Sequence, residues 1–445
     1  MSTRPKISWS DLRSSTVGVW GLGVEGRANL RRLEAMGATA VLVDDRPQAT
    51  EEGSRPVMAT GAGGLQALAR CDAVVKSPGI SRYRDEVRHL QGSGIPVVGG
   101  LGLWLEEADP GRVACITGTK GKSTTTSIAG HLLRRLGYDC LVGGNIGVPP
   151  WDPEVGDRHD FWVVETSSFQ ATDLASSPRT VAVTSLHPDH LDWHGDQSRY
   201  FTDKLSACTQ PGADLTIADG HDRLLRANSD RLGRRIRWIT DEDPAAEPWT
   251  RTLDLAGAHN RRNALIARQV LVALGIPEAA DAEALAHAAE GYRSLDSRLR
   301  HIGTRGGVDF VDDSLSTNVL SSVAALEAFP ARRVALMVGG HDRGIDYTEL
   351  AEAVAGRDRP TLVVTMPDSG PRIGAAVSAR GGSSALVLNR TDLARATRDA
   401  WEWARPGGVV LLSPASPSFG PFRDYRDRAA AFAAAMRSCP AARRG

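Results

Sequence analysis

Short apolar runs rich in β-branched residues alternate with amphipathic stretches rich in Ala, Leu and Arg along most of this 445-residue chain. Buried strands separated by amphipathic helices favour parallel sheets, because each helix carries the chain back to the edge where the next strand starts. The alternation therefore predicts the α/β fold class. The predicted strands are Thr16–Trp20, Ala40–Val43, Ala73–Val75, Val97–Val98, Val113–Thr117, Trp162–Glu165, Thr180–Thr184, Val308–Val311, Arg333–Val338, Thr361–Thr365, Ala385–Val387 and Val409–Leu412.

The length exceeds that of one compact domain, and typical domain sizes give roughly three. The groups of strands predict α/β domains at residues 1–100, 101–300 and 301–445. The polar segment 207–255 is expected to hold strands and turns of the central domain. The Ala- and Arg-rich tail, 429–445, is expected to form a final helix with a frayed end.

The chain is formally neutral, with 53 basic and 53 acidic residues. Proteins that bind nucleic acids or membrane surfaces generally carry a basic excess, so neither class is predicted. The five cysteines are scattered and form no CxxC pair, which indicates free thiols in a reducing compartment. Residues 1–12 lack the apolar run of a signal peptide, and no stretch reaches the ~20 apolar residues that span a bilayer. We expect a cytoplasmic protein without membrane insertion.

A glycine-rich turn, Gly21-Leu-Gly23-Val-Glu-Gly26, follows the first predicted strand, and Asp44-Asp45-Arg46 follows the second. Glycine permits a tight turn and lets a pyrophosphate approach the backbone N–H groups at a helix start. The acidic pair is placed for a ribose or a neighbouring group. The motif predicts a nucleotide diphosphate, and both an NAD-dependent dehydrogenase and a protein that binds another nucleotide are compatible with it.

The strand Val113–Thr117 runs into Gly118-Thr-Lys-Gly-Lys122-Ser123-Thr124 and then into a predicted helix. Backbone N–H groups of such a loop surround phosphates, and the helix start adds partial positive charge. The lysine of this motif, here Lys122, reaches the β- and γ-phosphates, and the hydroxyl of Ser123 or Thr124 binds Mg²⁺. Ile116 stands where the usual motif has its first glycine. ATP and Mg²⁺ are the predicted ligands.

Further along the chain, Glu165 ends an apolar strand, which makes it a candidate Mg²⁺ ligand or a cap on the following turn. The next polar segment contains His187, Asp189, His190, Asp192 and His194. This density of imidazoles and carboxylates suggests a metal or phosphate site, although the spacing matches no zinc signature. Lys204, on a predicted helix, either joins this chemistry or is an exposed surface lysine.

Later polar clusters lie at the ends of predicted elements. Asn260 and Asn263, in the run 255–264, either hold a purine or cap the following helix. Residues 312–318, 339–344 and 413–419 each follow an apolar strand. Because α/β folds bind ligands at the carboxyl ends of their strands, these three clusters together predict a site in the last domain.

Taken in order, these stretches resemble the Mur ligase family, which uses ATP to add amino acids to peptidoglycan precursors. The matching runs are Thr-Gly-Thr-Lys-Gly-Lys-Ser-Thr (117–124), Gly-Gly-Asn-Ile-Gly (143–147), Glu-Thr-Ser-Ser-Phe-Gln (165–170), His-Pro-Asp-His-Leu-Asp (187–192), Tyr200 with Lys204, Gly-Ala-His-Asn-Arg-Arg-Asn (257–263) and Ser-Pro-Ala…Ser (413–418). The resemblance covers nearly the whole chain and is closest to the glutamate-adding type. It implies a Rossmann-like domain for the UDP-linked precursor, a central P-loop ATPase-like domain for ATP, and a C-terminal Rossmann-like domain for the amino acid.

The resemblance also implies roles for the matching residues. Those implied for ATP are Gly118, Thr119, Lys120, Gly121, Lys122, Ser123, Thr124, Asn263 and Arg298. Those implied for the precursor are Val24, Glu25, Asp45, Arg46, Asn145, Ser167 and Gln170. Those implied for the amino acid are Thr317, Arg343, Ser418 and Tyr425. Lys122, Glu165, His190 and Lys204 would be catalytic, and Mg²⁺ would be held by Ser123, Glu165, His190 and Lys204 if that lysine is carbamylated.

The implied reaction joins glutamate to UDP-N-acetylmuramoyl-L-alanine through an acyl phosphate, with release of ADP and phosphate. Carboxylate and triphosphate repel each other, so the protein must supply positive charge, here from Lys122 and Mg²⁺. Domain closure would bring the reacting atoms together and exclude water. We expect the chain to act as a monomer.

The last domain departs from the family pattern. Enzymes that add D-glutamate usually carry Asp-Ser-Lys-Ala-Thr-Asn, whereas residues 313–318 read Asp-Ser-Leu-Ser-Thr-Asn, so Leu315 replaces a lysine. A second family lysine corresponds to Arg343, whose planar fork presents its donors differently from an ammonium. Our hypothesis is a reshaped pocket that takes L-glutamate, as in the family branch that relies on a separate epimerase. D-glutamate is the alternative.

Other classes of protein are compatible with parts of the sequence. An NAD-dependent dehydrogenase accounts only for residues 16–46. A folate-polyglutamate type of ligase shares the central and last domains but usually lacks the N-terminal one. A non-catalytic ATP-binding protein would not be expected to keep a phosphate lysine, a metal carboxylate and a metal lysine together.

Overall fold

The computed structural model describes residues 4–240, 249–255, 257–380, 385–418 and 420–441. The chain forms two compact units. The first contains Met1–Leu253 and Arg262–Tyr292, and the second contains Asp254–Arg261 and Arg293–Gly445. The first unit holds two six-stranded sheets and the second holds one.

The N-terminal sheet has the strand order β3-β4-β2-β1-β5-β6, and all its pairs are parallel except β3–β4. Its strands are β1 Thr16–Trp20, β2 Thr39–Asp44, β3 Glu51–Glu52, β4 Arg55–Ala59, β5 Ala73–Lys76 and β6 Val97–Gly99. Its helices are α1 Val24–Met36, α2 Leu65–Leu68, α3 Asp85–Gly92 and α4 Gly100–Leu105. Helix α1 buries Leu33 against one face of the sheet, and α3 buries Leu90 in a separate apolar cluster with Trp20 and Val74.

The central sheet is parallel throughout, in the order β12-β11-β10-β7-β9-β8. Its strands are β7 Val113–Thr117, β8 Cys140–Gly144, β9 Phe161–Glu165, β10 Thr180–Val183, β11 Leu215–Asp219 and β12 Ile236–Ile239. The helices of this part of the chain are α5 Lys122–Arg135, α6 Ser168–Ala171, α7 Leu191–His194, α8 Gln197–Lys204, α9 Arg223–Ala227, α10 Trp249–Thr252, α11 Ala258–Ala273 and α12 Ala282–Ala289. Because β7 and β9 are adjacent parallel strands, the phosphate loop and Glu165 both lie at the carboxyl ends of the strands.

The third sheet has the order β13-β14-β18-β15-β16-β17, with β13 antiparallel to β14. Its strands are β13 Arg300–Arg305, β14 Val308–Asp312, β15 Val334–Gly340, β16 Thr361–Asp368, β17 Ala385–Asn389 and β18 Val409–Leu412. Its helices are α13 Val319–Glu327, α14 Thr348–Ala355, α15 Gly370–Arg380, α16 Leu393–Ala404 and α17 Tyr425–Ser438. Helices α13, α14 and α15 pack on one face of the sheet, and α16 and α17 pack on the other.

The α/β class and the predicted parallel strands are confirmed, whereas β3, β4, β8 and β13 had not been predicted as strands. Strand β8 ends in Gly143-Gly144, and glycine is a poor strand former. Strand β13 is polar because it is a largely exposed edge strand. The final helix begins at Tyr425, four residues earlier than predicted, because the Asp424 carboxylate caps it. The proposed domain boundaries at 100 and 300 stay a prediction, and residues 241–248 and 442–445 lie outside the described ranges.

All five cysteines are free and buried. Burial raises the pKa of the thiols of Cys71 and Cys115 to about 11 and of Cys140 and Cys208 to about 12. The thiols are therefore protonated at neutral pH, and their free state agrees with the prediction of free thiols. Within the described ranges, no helix is long and apolar enough to cross a bilayer.

Candidate active site

The phosphate loop joins β7 to α5 and requires glycine at two positions. Gly118 and Gly121 have φ angles of +138° and +85°, which L-residues with side chains rarely adopt. A Cβ atom on Gly118 would lie 2.2 Å from Thr184 Oγ1, and one on Gly121 would lie 2.6 Å from Asn263 Oδ1. The structure thus packs Asn263, a predicted ATP residue, directly against the loop.

Hydrogen bonds from the segment after β10 fix the shape of the loop. The backbone N–H of Thr119 donates to Ser185 O at 2.9 Å, and that of Lys120 donates to Ser185 Oγ at 2.8 Å. The Thr119 hydroxyl donates to His187 O and lies 3.0 Å from the Tyr200 hydroxyl. These bonds hold the loop in a fixed shape at the start of helix α5, and a helix start is a favourable place for a phosphate group.

Two lysines converge on the same carbonyl group of the loop. Lys122 Nζ lies 2.8 Å and Lys204 Nζ 3.0 Å from Gly118 O. Lys204 is buried, and this burial, reinforced by the charge of Lys122, holds the pKa of Lys204 well below its ordinary value. The predicted helix lysine is therefore not a surface residue. A neutral amine is also the form that reacts with carbon dioxide, so the environment suits the predicted carbamylation.

Glu165 has one carboxylate oxygen that accepts no hydrogen bond from the described residues. Glu165 Oε1 accepts a bond of 2.7 Å from Asn145 Nδ2, and the Asn145 N–H donates to Glu165 O at 2.9 Å. Glu165 Oε2 is buried without a hydrogen-bond partner among the described residues. Because a buried unpaired carboxylate oxygen is unfavourable, this atom fits a ligand of a divalent cation. Asn145, predicted to contact the precursor, holds Glu165 in place.

The three histidines of the 187–194 segment do not form one site. His194 is fully buried, with Nδ1 2.7 Å from Asp203 Oδ2 and Nε2 3.0 Å from Ser168 Oγ, so it is a core residue. His190 adopts a left-handed φ of +50° and is half-exposed. Burial of its ring lowers the pKa of His190, which favours the neutral imidazole that binds metals. In the described parts of the chain, no three His, Cys, Asp or Glu side chains are grouped to hold a metal ion.

The predicted precursor residues Ser167, Gln170 and Glu25 form one hydrogen-bonded chain. Ser167 Oγ accepts the Gln170 N–H at 3.1 Å, and Gln170 Oε1 accepts the Ser167 N–H at 2.8 Å, which together start helix α6. Gln170 Nε2 then donates to Glu25 Oε1 at 2.7 Å. Burial raises the pKa of Glu25 to about 7, against the opposing effects of Gln170 and Lys76.

The other predicted precursor residues lie near the carboxyl ends of β1 and β2. A cleft of about 200 Å³ is lined by Gly23, Asp44 and Arg46 among others. Asp45 is instead engaged within the protein, because its oxygens accept from Thr60 Oγ1 at 2.8 Å and from Arg84 at 2.5 Å. Val24, the remaining predicted residue of this region, is 68% exposed.

In the second unit, the structure brings Arg343 and Thr317 together, with Arg343 Nη2 donating to Thr317 O at 2.7 Å. Ser418 is buried on the loop after β18, and Tyr425 is half-buried at the start of α17. Phe419, the last residue of the predicted cluster, lies outside the described residues.

Asp313 was not assigned a role from the sequence, although it lies in a predicted cluster. Its carboxylate accepts from Leu299 N at 3.0 Å, from Ser413 Oγ at 2.7 Å and from Ser316 Oγ at 2.5 Å. Burial raises the pKa of Asp313 to about 6, although these bonds and the charge of Arg298 oppose the rise. The sequence signal was the acidic pair Asp312-Asp313 at the carboxyl end of β14, where a ligand-binding carboxylate is expected.

Two protein-family models match the chain. The "Mur ligase middle domain" matches residues 116–230, and the "Mur ligase, glutamate ligase domain" matches residues 297–416. The UDP-N-acetylmuramoyl-L-alanine--L-glutamate ligase of Micromonospora sp. is 39% identical, over 96% of this chain and 98% of the relative. The enzyme of the same name from Xanthomonas euvesicatoria pv. vesicatoria is 38% identical, over 97% of both chains.

Among solved structures, MurF ligase from Thermotoga maritima in complex with ADP superposes with a TM-score of 0.53 at 15% identity, covering 97% of both chains. At this identity the likeness concerns the fold. The matches over nearly the whole sequence identify the family. The match to the middle domain, at residues 116–230, includes the phosphate loop, Glu165 and Lys204. On these grounds the chain belongs to the Mur ligase family.

Proposed function

We propose that this chain is an ATP-dependent ligase that joins L-glutamate to UDP-N-acetylmuramoyl-L-alanine by an amide bond. The observation that carries the proposal is its similarity, over nearly its whole length, to enzymes named for this reaction. The phosphate loop and the lysines beside it supply the chemistry that such a ligase needs. The sequence matches favour this activity over the dehydrogenase compatible with residues 16–46.

In the first step, an oxygen of the precursor's terminal carboxylate attacks the γ-phosphorus of ATP. The bond from that phosphorus to the bridging oxygen of ADP breaks, and an acyl phosphate forms. Both reactants are anions, so positive charge is required between them. Lys122, whose ammonium already faces Gly118 O and Thr119 O, supplies charge at the β- and γ-phosphates, and Asn263 contacts the nucleotide.

Magnesium fits the residues present, because Glu165 Oε2 has no hydrogen-bond partner among the described residues and Glu165 pairs with Ile116, just before the loop. Glu165, Ser123 and His190 would hold the ion, with Lys204 as a further oxygen donor once carbamylated. The ion would neutralise phosphate charge during transfer. Carbamylation would also remove the repulsion between the Lys204 and Lys122 ammonium groups.

In the second step, the glutamate amine attacks the acyl carbon, the carbon–oxygen bond to phosphate breaks, and the amine loses a proton. Thr317, Arg343, Ser418 and Tyr425 are the residues proposed to hold glutamate, and Arg298 to contact ATP. Leu315 is half-buried and anchored by its N–H, which donates to Ser297 O at 3.1 Å. Because the side chain there is apolar, one carboxylate of the substrate has no ammonium partner at this position. We therefore propose that glutamate binds in a different orientation from the one used by enzymes with a lysine there, and that it binds as the L-isomer.

We place the chain in the cytoplasm, as a monomer that meets no nucleic acid. Its product would pass to an enzyme that epimerises the added glutamate, because peptidoglycan precursors of the ordinary type carry the D-residue.

The test is phosphate release from ATP with UDP-N-acetylmuramoyl-L-alanine and either L- or D-glutamate, with the precursor omitted as control. Release with L-glutamate alone supports the full proposal. Release with D-glutamate alone keeps the ligase but refutes the role given to Leu315. Release with neither isomer refutes the proposed reaction.

A further inference from the structure

Arg428, on helix α17, is a buried arginine with no acidic partner in the described parts of the chain. Its side chain is 1% exposed, and no carboxylate of the described residues lies within ion-pair distance of it. Burial lowers the pKa of Arg428 to about 10, although the charge of Asp312 opposes this. Burying a charged guanidinium without an acidic partner costs free energy. The hydrogen bonds that Arg428 makes must offset this cost.

The guanidinium donates to the backbone of three different strand ends. Nη2 donates to Ser314 O at 2.8 Å and to Ser416 O at 3.2 Å, and Nη1 reaches Gly339 O at 3.5 Å. Ser314 follows β14, Gly339 lies at the end of β15, and Ser416 follows β18. These strands are neighbours in the order β14-β18-β15, so one side chain connects the carboxyl ends of three adjacent strands.

The same three segments carry three of the four residues proposed to hold glutamate, and the fourth, Tyr425, begins helix α17 itself. Thr317 follows Ser314 by three residues, Arg343 follows Gly339 by four, and Ser418 follows Ser416 by two. The segments also touch one another closely: His341 N donates to Pro417 O at 2.9 Å, and a Cβ on Gly340 would lie 2.2 Å from Pro417 O. Because the backbones of these segments are in direct contact, we expect a small displacement of one strand end to displace the other two.

We propose that Arg428 is a positioning residue that sets the spacing of the three segments forming the glutamate subsite. This inference rests on the proposed function. Arg428 itself does not touch glutamate, because its Nη1 and Nη2 donors are directed at backbone carbonyl groups. The planar fork is essential, because it directs donors from two nitrogens to separate carbonyl groups. A lysine would keep the charge but concentrate its donors on one atom.

The test compares Arg428→Lys and Arg428→Gln with Arg437→Lys, a control at an exposed arginine on the same helix. The measurements are KM for glutamate, KM for ATP, KM for the precursor, kcat, the rate ratio of L- to D-glutamate, and Tm. We expect Arg428→Lys to raise KM for glutamate on the order of tenfold to a hundredfold, while KM for ATP and the precursor stay within about twofold. Arg428→Gln should act in the same direction, and Arg437→Lys should leave all values unchanged.

The unaltered chain separates this proposal from the proposed function. If it releases no phosphate with either glutamate isomer, the function fails, whatever the variants do. With an active parent, an unchanged KM for glutamate and an unchanged L-to-D ratio in Arg428→Lys would overturn the positioning role. Equal changes in all three KM values, or failure of both Arg428 variants to fold, would also overturn it, since Arg428 would then serve only stability.

Discussion

Gly121→Ala tests whether the contact between the phosphate loop and Asn263 governs ATP binding. Alanine at a φ of +85° costs about 1–2 kcal/mol of stability, because its Cβ crowds the following carbonyl oxygen. The new Cβ would also lie 2.6 Å from Asn263 Oδ1, whereas ordinary contact begins at 3.4 Å. The Asn263 amide must therefore retreat by roughly 0.8 Å, and displacements near 1 Å can reduce rates on the order of a hundredfold.

Gly137→Ala is the matched control at the other end of helix α5. Its φ of +94° imposes a similar strain, but nothing lies within 4 Å of the added Cβ. Both variants should lower Tm by about 2–4 °C per kcal/mol of strain. Only Gly121→Ala should raise KM for ATP, by roughly tenfold or more, in a phosphate-release assay with saturating precursor and glutamate. Equal KM values for ATP in the two variants would refute the reasoning from the Cβ contact.

Glu165, Lys204 and Glu25 of the first unit carry charges whose effects can be measured. Glu165→Gln should raise the Mg²⁺ concentration for half-maximal activity on the order of a hundredfold, because the variant replaces a carboxylate oxygen that has no hydrogen-bond partner among the described residues with an amide nitrogen or a neutral carbonyl oxygen. Glu154→Gln, at an exposed site, should leave that Mg²⁺ concentration unchanged. Lys204→Arg should be inactive, and removal of carbon dioxide from the buffer should slow the parent enzyme until bicarbonate is added; a rate independent of bicarbonate, with no carbamyl mass on Lys204, would contradict this. Because the pKa of Glu25 is raised to about 7, its carboxylate gains a negative charge above that pH and should oppose the anionic precursor. KM for the precursor should therefore rise about tenfold from pH 6 to pH 8 and stay flat in Glu25→Gln, as pH–rate profiles can establish.

The sequence predicted the parts of this structure that depend on local pattern. Strand β1 and the segment 117–124 have the apolar run, the glycines and the helix start that specify a strand–loop–helix unit. Glu165 was found because strand ends are where α/β folds place ligands. Its open oxygen could not be foreseen, since it depends on where Asn145 directs its amide.

Contacts between residues that are far apart in the sequence could not be predicted from it, for a physical reason. Gln170 meets Glu25 across 145 positions, and no local periodicity encodes that pairing. His194 resembled a ligand because of its neighbours in sequence, but Asp203 and Ser168 satisfy both of its ring nitrogens in the core. Arg428 gave no signal because its partners are backbone carbonyl groups, which every residue has.

The buried state of the cysteines has a practical consequence for spectroscopy. Thiol-directed dyes and spin labels react with an accessible thiolate, and the native thiols are both hidden and protonated at neutral pH. A single cysteine introduced at an exposed position of each unit should therefore be labelled selectively, without first removing the natural ones. Such a doubly labelled chain would let fluorescence energy transfer follow the distance between the units as substrates are added one by one.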